Sequence, residues 1–81
     1  MRITVIKQIE WKTDSMFNEG KADLGLGHTA KLWKDNNNDW HWEIYRGTEL
    51  LKKGWDYGLC QVMAECQAVW ENMVWTVLTR E

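Results

Sequence analysis

Apolar and polar residues alternate over residues 2–11. Ile3, Val5, Ile9 and Trp11 fall on one side, with only Lys7 out of phase, and Arg2, Thr4, Gln8 and Glu10 fall on the other. A period of two predicts a half-buried strand. Residues 13–21 have turn composition and read as a loop. A second alternation places Ala22, Leu24, Leu26, His28, Ala30 and Leu32 on one face, opposite Asp23, Gly25, Gly27, Thr29, Lys31 and Trp33. It reads as one strand, with Gly25 and Gly27 marking a bulge or a close backbone approach. The run from Asp35 to Asp39 predicts a turn, because Asn and Asp tolerate left-handed geometry and bond their own backbone. Trp40, Trp42 and Ile44 then share one face of a third strand over 40–46. Gly47 leads into a fourth over 49–55, bounded by Gly54.

From Asp56, read as an N-cap, the period changes to 3.6. Leu59, Val62, Met63, Cys66, Val69, Trp70, Met73, Val74 and Val77 fall within an arc of about 140°, the stripe of an amphipathic helix over about 57–79. Gln61, Glu65, Asn72, Thr76 and Thr79 take the opposite side. The order is β-β-β-β-α. It predicts one α+β domain over 1–81, a two-layer antiparallel meander of about four strands covered on one face by a single long C-terminal helix. The 81 residues leave no room for a second core.

Composition changes this picture in two places. Seven residues are tryptophan, and with 10 Lys+Arg against 12 Asp+Glu the net charge is −2. That balance argues against a general electrostatic grip on nucleic acid or an anionic membrane. The alternation at the N-terminus holds no apolar run long enough for a signal peptide or a membrane span, which predicts a cytoplasmic protein with no membrane partner. Cys60 and Cys66 lie six residues apart on the predicted helix. Their side chains are about 9 Å apart along the axis and about 240° around it, so they cannot bridge. Reduced thiols follow, with Cys66 as a small core residue.

Candidate chemistry is thin. Residues 25–30 match a G-x-G-x-x-A dinucleotide fingerprint, but no helix follows to offer its N-terminus to a pyrophosphate, and glycines in a strand are the simpler reading. Asp35, Asn37 and Asp39 have the oxygen spacing that opens a calcium loop, yet Trp40 and Arg46 occupy the positions where Gly and Glu are needed. His28 and His41 have no metal-ligand partner at a recognisable spacing; His28 reads as a hydrogen-bonded core histidine. No catalytic constellation stands out, so no enzyme activity, cofactor, metal or small-molecule substrate is expected.

Binding is the function class left. Cys60, Ala64, Ala68, Trp75 and Leu78 form a second apolar arc on the helix, which one sheet face cannot cover. Either Met16 and Phe17 fold over it or another chain does. Trp11, Trp40, Trp42 and Trp70 fall on faces the pattern buries, whereas Trp33, Trp55 and Trp75 have no place in that core. A protein contact, with a host protein or a second copy, is therefore expected through Trp33, Tyr45, Trp55, Trp75 and Leu78. The alternative is a nucleic-acid surface. Lys31, Trp33, His41, Glu43 and Tyr45 share the sheet face opposite the helix, and Lys31, Lys34, Lys52 and Lys53 would meet phosphates.

Over residues 33–75 the chain resembles a recurring pattern among small phage- and prophage-encoded proteins, some anti-CRISPR inhibitors among them. The pattern is a polar turn, then Trp40-x-Trp42, a turn at Gly47, a short strand ending in Gly54, and an amphipathic helix bearing Ala64 and Ala68. Where many such proteins carry Ser or Thr at the helix start, this chain has Asp56-Tyr57-Gly58. The resemblance implies a small accessory protein that acts by binding, occluding a surface on a host machine.

Overall fold

Two glycines decide the first half of the sheet. Leu26 and Gly27 have φ of 56° and 78°, and Gly25 before them has 82°. Two successive central residues with positive φ form the primed turn that matches strand twist. The chain therefore folds back at Leu26-Gly27, where the sequence reads as one continuous strand. A computed structural model of the chain describes residues 8–13 and 18–79, excluding the side chains of 76–79, and contains β1 (Lys12–Thr13), β2 (Glu19–Gly25), β3 (His28–Lys34), β4 (Trp40–Arg46), β5 (Glu49–Asp56) and α1 (Leu59–Thr79). The strands form one antiparallel sheet in the order β1-β2-β3-β4-β5, with α1 packed on one face, chiefly against β4 and β5. The α+β meander with its single C-terminal helix is as expected, with five strands rather than four.

Three other local expectations change. Most of the predicted first strand, residues 2–7, lies outside the described residues, and Gln8–Trp11 run outside the sheet, which begins at Lys12. The reason is a competing partner: the Ile9 amide donates to Oε1 of Gln67 on α1 at 2.8 Å, and the Ile9 side chain enters the core. Residues 19–21, read as loop, instead open β2, with Gly20 facing Leu32. Asp56 is not the helix cap. It ends β5, its Oδ1 accepts from the Tyr57 amide, and α1 starts at Leu59, with Val62 N–H bonded to the Gly58 carbonyl.

The core lies between the sheet and α1. Ala22, Ala30, Leu32, Trp40, Trp42 and Ile44 face Val62, Cys66 and Trp70, and the partly buried Leu59, Met63, Val69, Met73 and Val74 extend the helix stripe as its periodicity predicts. Gly54 is the tightest point, because the Trp42 indole lies where its side chain would be. The expected burial of Trp40, Trp42 and Trp70 is observed, and Trp11 is half-buried against the same core.

Candidate surface on the open sheet face

Strand alternation places every second residue on the face away from α1, and register decides which of them meet. Glu19, Trp33, His41 and Trp55 lie opposite one another on β2 to β5. Two residues along, Lys12, Lys21, Lys31, Glu43 and Lys53 form a second row, across all five strands. A third holds Asp23, Thr29, Tyr45 and Leu50; the Tyr45–Leu50 pair is kept in phase by a bulge that leaves Leu51 unpaired.

The aromatic row is organised by the 35–39 turn. Asp35 Oδ1 accepts from the amides of Asn37 at 2.8 Å and Asp39 at 3.0 Å, while Asn38 takes the left-handed conformation at φ 66°. The other oxygen, Oδ2, accepts from His41 Nε2 at 2.7 Å. The bond from His41, followed in effect by the two turn amides, holds the Asp35 carboxyl below its usual range. Thus fixed, the His41 ring stacks on Trp33, with centroids 5.3 Å apart and planes 12° from parallel. The stack and Trp55 line a groove of about 480 Å³ together with Trp42, Glu43, Lys53 and Gly54. Trp55 is 52% exposed and meets the 75% exposed Tyr57 edge to face at 5.2 Å.

The lysine row is tied to the third row through Tyr45. Lys31 Nζ lies 5.2 Å from the centre of the Tyr45 ring, a cation–π distance, and the Tyr45 hydroxyl donates to Glu43 Oε1 at 2.7 Å. The hydrogen bond to Glu43 raises the Tyr45 phenol above its ordinary range, since ionisation would lose the donor and face a carboxylate.

The expected contact residues therefore separate. Trp33, Tyr45 and Trp55 share the open face, but Trp75, 49% exposed, is on α1 in the other layer, and the side chain of Leu78 lies outside the described residues. Lys31 and Lys53 stand in one row. Lys34 and Lys52 do not join them: they are paired with Trp40 and Ile44 and so project from the helix side, Lys34 Nζ lying 5.9 Å from the Trp40 ring centre. The four lysines grouped from the sequence are not one surface. Lys12 and Lys21 complete the row instead. Lys21 was legible only as a residue alternating with Gly20 and Ala22, which requires the turn at Leu26-Gly27 to be recognised first, and Lys12 joins it only through the pairing of β1 with β2.

The other candidates resolve simply. The G-x-G segment is the β2–β3 turn, where His28 Nδ1 donates to the Leu26 carbonyl at 3.0 Å and the half-buried ring rests on Trp70 at 5.2 Å. Asp35 spends its oxygens on the turn and His41, and no group of three His, Cys, Asp or Glu among the described residues is placed to hold a metal. Cys66 is fully buried, and the loss of solvation pushes its thiol up to about 12, the opposite of an activated nucleophile. On the helix, Cys60, Ala64 and Ala68 are exposed and line a second groove of about 480 Å³ with Gln8, Ile9 and Trp11 on its far wall. The expected cover by Met16 and Phe17 falls outside the described residues.

Fold and surface together define a two-layer α+β domain that covers one sheet face with a helix and presents rings and lysines on the other. No protein-family model, curated protein or solved structure matches the chain.

Proposed function

We propose that the chain is a non-enzymatic binding module whose contact surface is the open face of its sheet. One observation carries this reading: Trp33, His41 and Trp55 stand in register on three adjacent strands, on the face opposite α1. Aromatic rings bury much area at small entropic cost, and these three lie outside the core that holds Trp40, Trp42 and Trp70. A protein on a host machine, as the phage-type resemblance implies, would be read by the same rings. Cytoplasmic residence fits the two free thiols, Cys60 and Cys66. No helix among the described residues is long and apolar enough to cross a membrane.

Immobilised wild type, Trp33→Ala/Trp55→Ala and the helix variant Trp75→Ala test the reading against extract of the native cell, with retained proteins and nucleic acids both measured. The sheet-face double variant should lose what the wild type retains, while Trp75→Ala keeps it. Equal retention by the wild type and a folded double variant overturns the reading.

A further inference from the structure

The rings do not stand alone on the open face, and their neighbours bear on what they bind. Resting on the open-face reading above, we infer that this surface takes a single-stranded nucleic acid laid across the strands, phosphates along the lysine row and bases against the aromatic row. Lys12, Lys21, Lys31 and Lys53 lie on four of five successive strands, all exposed. At about 4.8 Å between strands the row spans about 19 Å, and the aromatic row runs parallel to it about 7 Å further along the strands. A polymer with one anionic edge and one edge of flat rings matches that arrangement: the positive row follows the backbone and the rings stack bases. The groove lined by the His41–Trp33 stack and Trp55 opens beside Lys53, so a base entering it leaves its phosphate near a cation. An acidic protein segment would satisfy the lysines but supplies no regular series of rings.

The chain's net charge of −2 does not contradict this, because the acidic residues of the open face are placed unevenly. Glu19 and Asp23 sit on β2, at the ends of the outer two rows. Glu43 alone interrupts the lysines, between Lys31 and Lys53, with one oxygen engaged by the Tyr45 hydroxyl. A polyanion must pass it, so neutralising it should strengthen binding; a contact with a neutral protein surface carries no such requirement.

The test uses the whole chain and a twelve-nucleotide oligothymidylate, read by quenching of tryptophan fluorescence at low salt, with polyglutamate of equal length as the comparison. The wild type should bind the oligonucleotide and not polyglutamate. Its affinity should fall with a log–log salt slope of about −2 to −3, as expected for three or four phosphate contacts by a single strand. Lys31→Glu/Lys53→Glu should abolish binding, Trp33→Ala should weaken it about tenfold or more, and Glu43→Gln should tighten it. Circular dichroism of each variant separates lost contact from lost fold. Absence of binding by the wild type at low salt, equal binding of polyglutamate, or unchanged affinity in a folded Lys31→Glu/Lys53→Glu variant each overturn the inference. If the oligonucleotide does not bind while Trp33→Ala/Trp55→Ala loses a protein that the wild type retains from extract, the open face remains the contact and its occupant is a protein. If neither assay responds, the binding reading falls as well.

Discussion

Backbone conformation and steric room make opposite demands at Leu26 and Gly54. At Leu26 the φ of 56° is costly for a branched L residue, and the side chain is 77% exposed, so little packing offsets the strain. Leu26→Asn creates Asn-Gly, the dipeptide preferred in this turn, and should stabilise the protein by about 0.5–1 kcal/mol, seen as a higher urea midpoint. Gly54 has ordinary φ but no space. A Cβ there would lie 2.6 to 2.8 Å from Nε1, Cε2 and Cζ2 of Trp42, whose ring is buried in the core. Gly54→Ala should therefore cost about 1–3 kcal/mol, measured as a fall in melting temperature, with Trp42 displaced. Neither effect is visible from the letters alone. Both glycine-flanked segments read equally well as strand punctuation.

Between elements, the junction of β5 and α1 carries a paired carboxyl site. Asp56 at the end of β5 meets Glu65 on the second turn of the helix, and Trp42 Nε1 approaches Glu65 Oε1 at 3.4 Å. The bond to Asp56, and then burial, raise Glu65 above the ordinary carboxyl range, while the bonds from Glu65 and from the Tyr57 amide lower Asp56. Of the two, Glu65 is the one that holds a proton to higher pH. A raised folded pKa contributes stability that is complete below the unfolded value and lost as pH rises through the folded one. Glu65→Gln keeps a donor toward Asp56 without the charge. Its advantage over the wild type should grow as pH rises through and above the carboxyl range, measured as the gap between denaturant midpoints at pH 4 and pH 8. The helix period places Glu65 on the polar side; only the packing of α1 on β5 turns it toward Asp56.

Across the whole molecule, stability rests on one core shared by both layers. Trp70 of α1 belongs to that core and supports His28 at the β2–β3 turn. Trp70→Ala should cost about 3–5 kcal/mol, a large part of what a domain of this size holds. Because helix and sheet share that core, their unfolding should coincide: far-ultraviolet circular dichroism and tryptophan fluorescence should report one transition, shifted to lower denaturant in the variant.

The sequence by itself determined the layers. A period of two before Asp56 and of 3.6 after it is written in single residues, and it named the buried face of β4 and the stripe of α1 correctly, because side-chain direction follows backbone repeat within one element. It also put Lys31, Trp33, His41 and Tyr45 on the face opposite the helix. Tertiary structure alone decided which residues of different strands are neighbours. Alternation runs through a two-residue hairpin turn without a break in phase, so Ala22 to Leu32 read as one strand although φ reverses at Leu26 and Gly27. Once that turn is made, register aligns Lys12, Lys21, Lys31 and Lys53 into a row and sends Lys34 and Lys52 to the other side. Period is a property of one segment, whereas a surface belongs to several, and only their hydrogen-bonded pairing sets it.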